Sequence, residues 1–570
     1  MSRGTTHHNR FPCMMVGFIM FAAGALGVLP GGCPGPDDGT PGACVVLSTT
    51  DIVTDTTLAA GCYIVESSID VSDGAVLTLA PGVTLKFAQG TKLTVWSDSA
   101  LAAQGTADNP IVLTGAASTR GYWDGVEFYS SNSSDNALEY VTIEYGGQED
   151  YANLLLTGTN SRVSVRHCTL RESAGCGFYL NGTAVVTAFD HNTITRNQTG
   201  AGDVTAECLG DLSDTSSYTG NDVDFVLVRG GDSRADGTWP ALDVPYLIDA
   251  SIDIVHNITL AAGARLTFMQ DVGMTVWQNA SLAAIGTADQ PIVLTGNDTV
   301  RGFWDGLAFY SSNSSDNALE YVTIEYGGQE DYANLLLTGT NSRVSVRHCT
   351  LRESAGCGFY LNGTAVVTAF DHNTITRNQT GAGDVTAECL GDLSDTSSYT
   401  GNDVDFVLVR GGDSRADGTW PALDVPYLID ASIDIVHNIT FAAGARLTFM
   451  QDVGMTVWQN ASLAAIGTAD QPIVLTGHTQ VPGFWDGLQL YGTNSDQNVL
   501  QYVTIEYGGQ EDYANLLLTG TNPRATVQNC TFQHSAGWGV WLAGSAVVNN
   551  DLATVNTFND NAAGDVYQEP

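Results

Sequence analysis

The chain has 570 residues, 43% of them hydrophobic, with 63 glycines and a formal net charge of −41. That length exceeds one ordinary core, and the apolar content is ample for folding. Lysine occurs only at Lys86 and Lys92, so no basic patch stands ready to neutralise phosphates and nucleic acid is set aside as a partner. The carboxylates either keep a secreted surface soluble or attract cations.

Arg3 and Arg10 precede an apolar run from Met14 to Leu29, the pattern of an export signal over residues 1–32. The run ends in Leu29-Pro30-Gly31-Gly32-Cys33. This resembles a bacterial lipobox, with the leucine one position farther from the cysteine than usual. Lipidation of Cys33 and a lipoprotein at the outer membrane or cell surface are therefore expected, with full secretion as the alternative. No later segment is long and apolar enough to span a bilayer, so the lipid would be the only membrane contact. Residues 33–45, rich in Pro, Gly and Asp, read as a flexible tether. Cys44 and Cys62 are expected to close the N-terminal cap as a disulfide.

From residue 46 the segments are short, β-branched and aromatic, punctuated by Gly, Asn, Asp and Ser. This composition is all-β. Leu138–Glu144, Val165–Arg171 and Phe189–Thr195 superimpose at offsets of 27 and then 24, the spacing of one coil in a parallel β-solenoid. Stacking such coils puts Leu138, Val165 and Phe189 in one inward column and Ile143, Leu170 and Ile194 in another. Thr142, Thr169 and Thr193 form a hydroxyl row. Outside, Glu139, Arg166 and Asp190 alternate in sign and Glu144 faces Arg171, which avoids like-charge repulsion between strands. His167 and His191 are expected to stack on adjacent coils as solvated or hydrogen-bonded residues.

Tyr145-Gly146-Gly147-Gln148-Glu149-Asp150-Tyr151-Ala152-Asn153 is a glycine turn followed by two acids between tyrosines. Adjacent carboxylates, an amide and loop carbonyls are the hard oxygen donors that calcium takes, and tyrosines stack on sugar rings. Glu149 and Asp150 are thus a candidate calcium or glycan site, set against a plain coil turn with solvent-facing acids. Asn221-Asp222-Val223-Asp224 is explained equally well as a strand entry. The Arg229–Asp232 and Ser233–Asp236 strings fit a loop between sub-repeats.

The stretch from Phe128 to Gly296 recurs from Phe309 to Gly477 with one change, Leu260 to Phe441, and a diverged third copy starts near Gly483. This period, the step from Phe128 to Phe309, divides the chain into 46–226, 227–407 and 408–570, the last with a C-terminal cap. The candidate acids recur as Glu330 and Asp331, then as Glu511 and Asp512. Cys176 and Cys208 recur as Cys357 and Cys389, whereas the third copy has Trp538 and Pro570 in their places. Joint loss predicts the disulfides Cys176–Cys208 and Cys357–Cys389. Cys168, Cys349 and Cys530 persist in all copies and are expected to be small buried hydrophobes. Stacked end to end, the coils would make a rod on the order of 100 Å long.

Leu77–Phe87, Gly105–Ile111, Trp123-Asp124-Gly125 and Leu138–Gly147 carry a resemblance that covers nearly everything after residue 46. The chain is similar to right-handed parallel β-helix proteins of the pectin-lyase-like superfamily, especially bacterial envelope members. That resemblance implies a fold and leaves activity open, because one such fold hosts lyases, hydrolases, epimerases, adhesins and stalks. The Asn-Thr-Asp, Asp-Asp, Gly-His-Gly and Arg-Ile-Lys motifs of family polygalacturonases are not found. Arg166 and Arg171 stand where a lyase base would, yet both become glutamine, Gln528 and Gln533, in the third copy. No catalytic residue is assigned. The expectation is adhesion, glycan binding or structural display, with a polysaccharide or other cell-surface component as partner. A polysaccharide lyase or glycoside hydrolase is the first alternative and an inert stalk the second.

Overall fold

The computed structural model describes residues 44–148, 152–329, 333–510, 514–549 and 551–570. They form a parallel β-solenoid of about 21 turns with almost no helix. Each turn crosses three faces. In the first turns, one face holds Gly61–Val65, Val83–Phe87, Ile111–Gly115 and Val141–Glu144. The second holds Ile69–Val71, Lys92–Val95, Gly125–Tyr129 and Ala152–Thr157, and the third Val76–Leu79, Ala100–Gln104 and Ala137–Glu139.

The expected register is the observed one. Leu138 pairs with Val165 and Val165 with Phe189, all buried, and Ile143, Leu170 and Ile194 follow the same line. The threonine row stacks at Thr142, Thr169 and Thr193. Outside, Arg171 reaches Glu144 at 2.7 Å and Arg166 reaches Asp190 at 3.5 Å. In the third copy Gln501 lies against Gln528, and Gln533 donates to Glu506 at 2.6 Å. The strands alternate because one face of each lines a core of Leu, Ile, Val and Phe while the other meets solvent.

Between strands the chain turns sharply, and buried asparagines satisfy the backbone exposed there. Ser173 N–H donates to Asn197 Oδ1 at 3.0 Å, and Asn197 Nδ2 donates to the Leu170 carbonyl at 3.1 Å. One coil on, the Asn197 N–H and its Nδ2 both donate to Asn221 Oδ1 at 3.0 Å, so the side-chain amides themselves form a ladder. The Trp123-Asp124-Gly125 motif closes another corner. Trp123 is buried, stacks on Phe87 at 4.1 Å and donates from Nε1 to the Glu144 carbonyl at 2.8 Å. Gly125 has φ +107°, and a Cβ there would lie 2.7 Å from the carbonyl oxygens of Ala152 and Asn153. Only glycine fits.

The copies do not align on one face. The second sheet, which carries Ala152–Thr157 in the first copy, runs on without a break through Val226–Val228 and carries Val322–Glu325 in the second. That strand is the copy of Val141–Glu144, which belongs to the first face. From Val141–Glu144 to Val322–Glu325 the chain advances by twenty strands plus two non-strand passages, the 3-10 segment Ala206–Asp211 and the bridge at Ser217. Twenty-two passages over three faces make seven and one third turns. Each copy is therefore rotated by one face, about 120°, and raised about 35 Å along the axis at the usual strand spacing. The division at 226/227 lies inside strand Val226–Val228, and the coils are continuous across it.

Cys44 and Cys62 form the expected disulfide. It clips the first described strand, Val45–Val46, to Gly61–Val65 and closes a short loop, which stabilises the fold by about 3 kcal/mol on chain-entropy grounds. Cys33 and the leading segment lie outside the described residues.

Asn197→Ala would leave the Ser173 N–H and the Leu170 carbonyl buried without their partner. We expect a cost of about 2–4 kcal/mol, read by hydrogen exchange as faster exchange at the Ser173 amide. Unchanged protection there would remove the amide ladder as a source of coil stability.

Candidate functional site

The segment expected to carry the site is held firmly on both flanks. Gly146 N–H donates to Asn153 Oδ1 at 2.9 Å, and Asn153 Nδ2 donates to the Arg171 carbonyl at 2.9 Å, with Asn153 fully buried. The Gly146 carbonyl accepts from Gly121 and Ala174, each at 3.1 Å. Asn334 and Asn515 repeat this arrangement. The candidate acids Glu149, Asp150, Glu330, Asp331, Glu511 and Asp512 themselves lie outside the described residues. Because the copies are rotated, the three flanking turns open on three different sides.

Other polar residues singled out in the sequence find structural partners. Tyr140, His167 and His191 stack at 4.7 and 5.0 Å on one corner, all at positive φ and exposed or half-exposed. Asp222 of the Asn-Asp-Val-Asp string pairs with Arg120 at 2.7 Å, and Arg120 also holds Glu172 at 3.1 Å. Asp224 accepts from Asn221 N–H at 2.8 Å and so shapes its own turn.

A groove at the junction between copies was not anticipated. Cys176, Tyr179, Thr199, Gly202, Asp203, Phe225 and Leu227 line about 220 Å³ on the outer side of the second sheet. Arg229, which lies as expected in a loop between sub-repeats, is its anchor. Its guanidinium sits 4.3 Å above the Tyr179 ring, donates to Tyr179 Oη and the Leu180 carbonyl at 2.9 Å, and pairs with Asp203. Burial pushes the Asp203 carboxyl above its ordinary range, and Arg229 pulls it back only in part. Arg410, Tyr360 and Asp384 rebuild the same set in the second copy. The separation of Asp203 and Arg229 by one coil's length of sequence was the available signal. Alongside, Arg234 bonds Asp211 at 3.3 Å and the Ala184 carbonyl at 2.6 Å, tying the 3-10 segment to the next coil.

Two predicted disulfides are corrected. Cys176 is not joined to Cys208, nor Cys357 to Cys389. Cys176 begins a strand of the second sheet, where its thiol donates to the Phe178 carbonyl at 3.1 Å. Cys208 lies in the 3-10 segment on the next face and donates to the Asn181 carbonyl at 3.5 Å. Their joint loss in the third copy has another cause: Trp538 fills the Cys176 slot and packs on Tyr567 at 5.3 Å, while the position matching Cys208 is Pro570. Cys168, Cys349 and Cys530 are buried as expected. Burial pushes the Cys168 thiol up to about 12 and that of Cys208 to about 11.

Among the described residues no group of three or more His, Cys, Asp or Glu is placed to hold a metal ion.

Parallel strands on three faces, coil-to-coil side-chain ladders and glycine-gated corners define a parallel β-helix protein, and its family match makes it a right-handed one. Within it, residues 50–174 match the family model described as a pectate-lyase like beta helix domain. No curated protein and no solved structure matches the chain.

Alkylation at pH 8 without reductant should leave Cys168, Cys176, Cys208, Cys349, Cys357, Cys389 and Cys530 unlabelled in the folded protein. Unfolding should label all seven and spare Cys44 and Cys62; peptide mapping that recovers a Cys176–Cys208 link would contradict the observed placement. Arg229→Ala should destabilise the junction by about 1–3 kcal/mol, more than Arg166→Ala, whose pair with Asp190 is half-exposed. Without Arg229 the Asp203 pKa rises further above its unfolded value, so the folded state holds the proton more tightly. Its stability should then fall as pH rises through that folded pKa. Thermal unfolding of the variant at pH 5 and pH 8 checks the sign.

Proposed function

We propose that this protein is a lipid-anchored β-helix of the bacterial cell envelope that presents glycan-binding or adhesive surface, with Cys33 as the anchor. The observation that supports this most is the one-third-turn rotation between copies, which distributes each repeated surface over three sides of one continuous column. Copying a weak binding surface raises avidity without any new contact. The charged groups of neighbouring coils also serve one another, as Glu144 with Arg171 and Glu172 with Arg120 and Arg196. Glu149 and Asp150 with their copies remain our proposed calcium or glycan ligands, carried on turns whose flanks Asn153, Asn334 and Asn515 fix.

A second reading, a polysaccharide lyase or hydrolase, is favoured by the groove in which Asp203, with its raised pKa, sits beside Arg229 and Tyr179. Perturbed carboxyls in clefts are candidates for proton transfer.

The chain from Pro34 onward, incubated with neutral and acidic polysaccharides with and without calcium, separates the readings by size-exclusion chromatography. We expect co-elution of protein and sugar with sugar length unchanged. Shortened sugar would establish an enzyme, and separate elution would leave a display stalk.

A further inference from the structure

Three tryptophans of this β-helix are exposed where the core offers no reason for it. Trp96, Trp277 and Trp458 each follow a strand, Lys92–Val95, Gly273–Val276 and Gly454–Val457, and are 39%, 38% and 39% exposed. In contrast, Trp123, Trp304 and Trp485 are fully buried. One coil further on, each exposed tryptophan meets an exposed tyrosine. Trp96 lies 5.1 Å from Tyr129, Trp277 5.1 Å from Tyr310 and Trp458 5.2 Å from Tyr491, with the rings tilted by 56°, 55° and 60°. Each pair forms an open apolar corner.

These corners are pre-set. Trp96 Nε1 donates to Asp70 Oδ1 at 2.8 Å, and Trp277 and Trp458 donate to Asp253 and Asp434 at 2.7 Å, so an aspartate from the preceding coil fixes each indole. An aromatic surface fixed before binding loses little entropy when a ligand arrives. The neighbours are free to differ while the three partners stay. Ser97 and Asp98 stand where the second copy has Gln278 and Asn279, and Phe128 and Ser130 where the third has Leu490 and Gly492.

We infer that each Trp–Tyr–Asp corner is a saccharide-binding platform, and that its ligand is a neutral polysaccharide. This rests on the glycan-binding reading above and assigns it to residues other than the Glu149 and Asp150 turns. Pyranose rings present flat C–H faces that pack on indole and phenol, and their hydroxyls bond to polar groups at the rim. The aspartate beside each platform and the net charge of −41 oppose a polyanion such as a uronate chain. The three strands that carry the tryptophans belong to three different sheets, so the platforms face three directions, about 120° and about 35 Å apart. One straight glycan cannot lie across all three. The protein therefore joins separate chains.

Native affinity electrophoresis tests this in gels containing hydroxyethyl cellulose, galactomannan, laminarin or polygalacturonate. Retardation is expected in at least one neutral gel and not in polygalacturonate. Trp96→Ala, Trp277→Ala and Trp458→Ala should each weaken it, and the triple variant should lose about tenfold or more in affinity while keeping the wild-type circular dichroism. The wild type should raise the viscosity of the neutral polysaccharide that retards it, whereas variants with a single platform left should bind without doing so. Should the triple variant fold poorly, acrylamide quenching of the wild-type fluorescence replaces it, and added polysaccharide should shield the exposed tryptophans. Wild-type binding that survives in a folded triple variant, or only in polygalacturonate, overturns the platforms and leaves the glycan-binding reading standing. No retardation in any gel overturns both. Viscosity raised equally by single-platform variants overturns the joining of chains alone.

Discussion

Everything in this molecule depends on one constraint: each side chain lies about 4.8 Å from its counterpart on the coils above and below. A residue must therefore tolerate a near-copy of its own environment on both sides. Apolar residues meet this easily, as in the column of Leu138, Val165 and Phe189. Charges meet it best beside an opposite sign, since like signs at that distance repel: Glu144 stacks on Arg171 and Arg166 on Asp190. The like pairs Asp51 with Asp70 and Asp232 with Asp253 lie toward strand ends and solvent-facing positions. Asparagine meets the constraint at corners because it carries a donor and an acceptor and can bond both to the backbone and to the next amide.

The same constraint explains the junction between copies. There the coil from Val226 to Tyr246 is shorter than the three before it on the same face, and in the coil just ahead of it a 3-10 segment replaces one strand. The backbone of Ala206 still donates to the Gly230 carbonyl at 2.9 Å, so stacking continues while the ladder of side chains is interrupted. Arg229 and Arg234 fill this interruption, reaching across coils to Asp203, Asp211 and backbone carbonyls that a regular strand would have paired. The groove is the visible remainder of that irregularity, and the desolvation of Asp203 is its electrostatic consequence.

Much of the fold was legible in the sequence, because a ladder writes its register as a spacing. The two offsets between like strands placed Leu138, Thr142 and Ile143 against their partners correctly, and paired losses such as Gln501 with Gln528 agree with them. The same reasoning failed for Cys176 and Cys208. Their joint loss looked like pairing, whereas one slot is taken by Trp538 against Tyr567 and the other coincides with Pro570. The rotation between copies was hidden for a different reason. A period counted along the chain does not count turns when coils differ in length, and the two passages without a strand leave no pattern to count. The Trp96 and Tyr129 pair escaped likewise, since its members stand farther apart in sequence than one regular coil.

Tandem copying usually repeats a surface along one line. Here the fractional turn forbids it, because any copy inserted into the continuous helix must begin on the face after the one where its predecessor began. Seven whole turns would have aligned equivalent side chains along one side and suited a single extended ligand. Seven and one third turns send them around the axis, so that three copies cover all three faces and a fourth would return to the first. Copy number and direction of display are thus one variable in this architecture, set by the number of face passages in the copied unit rather than by any surface residue. The near-identity of Phe128–Gly296 and Phe309–Gly477 shows that identical surfaces were kept while their directions changed. The direction comes from the backbone, and the side chains need only be repeated.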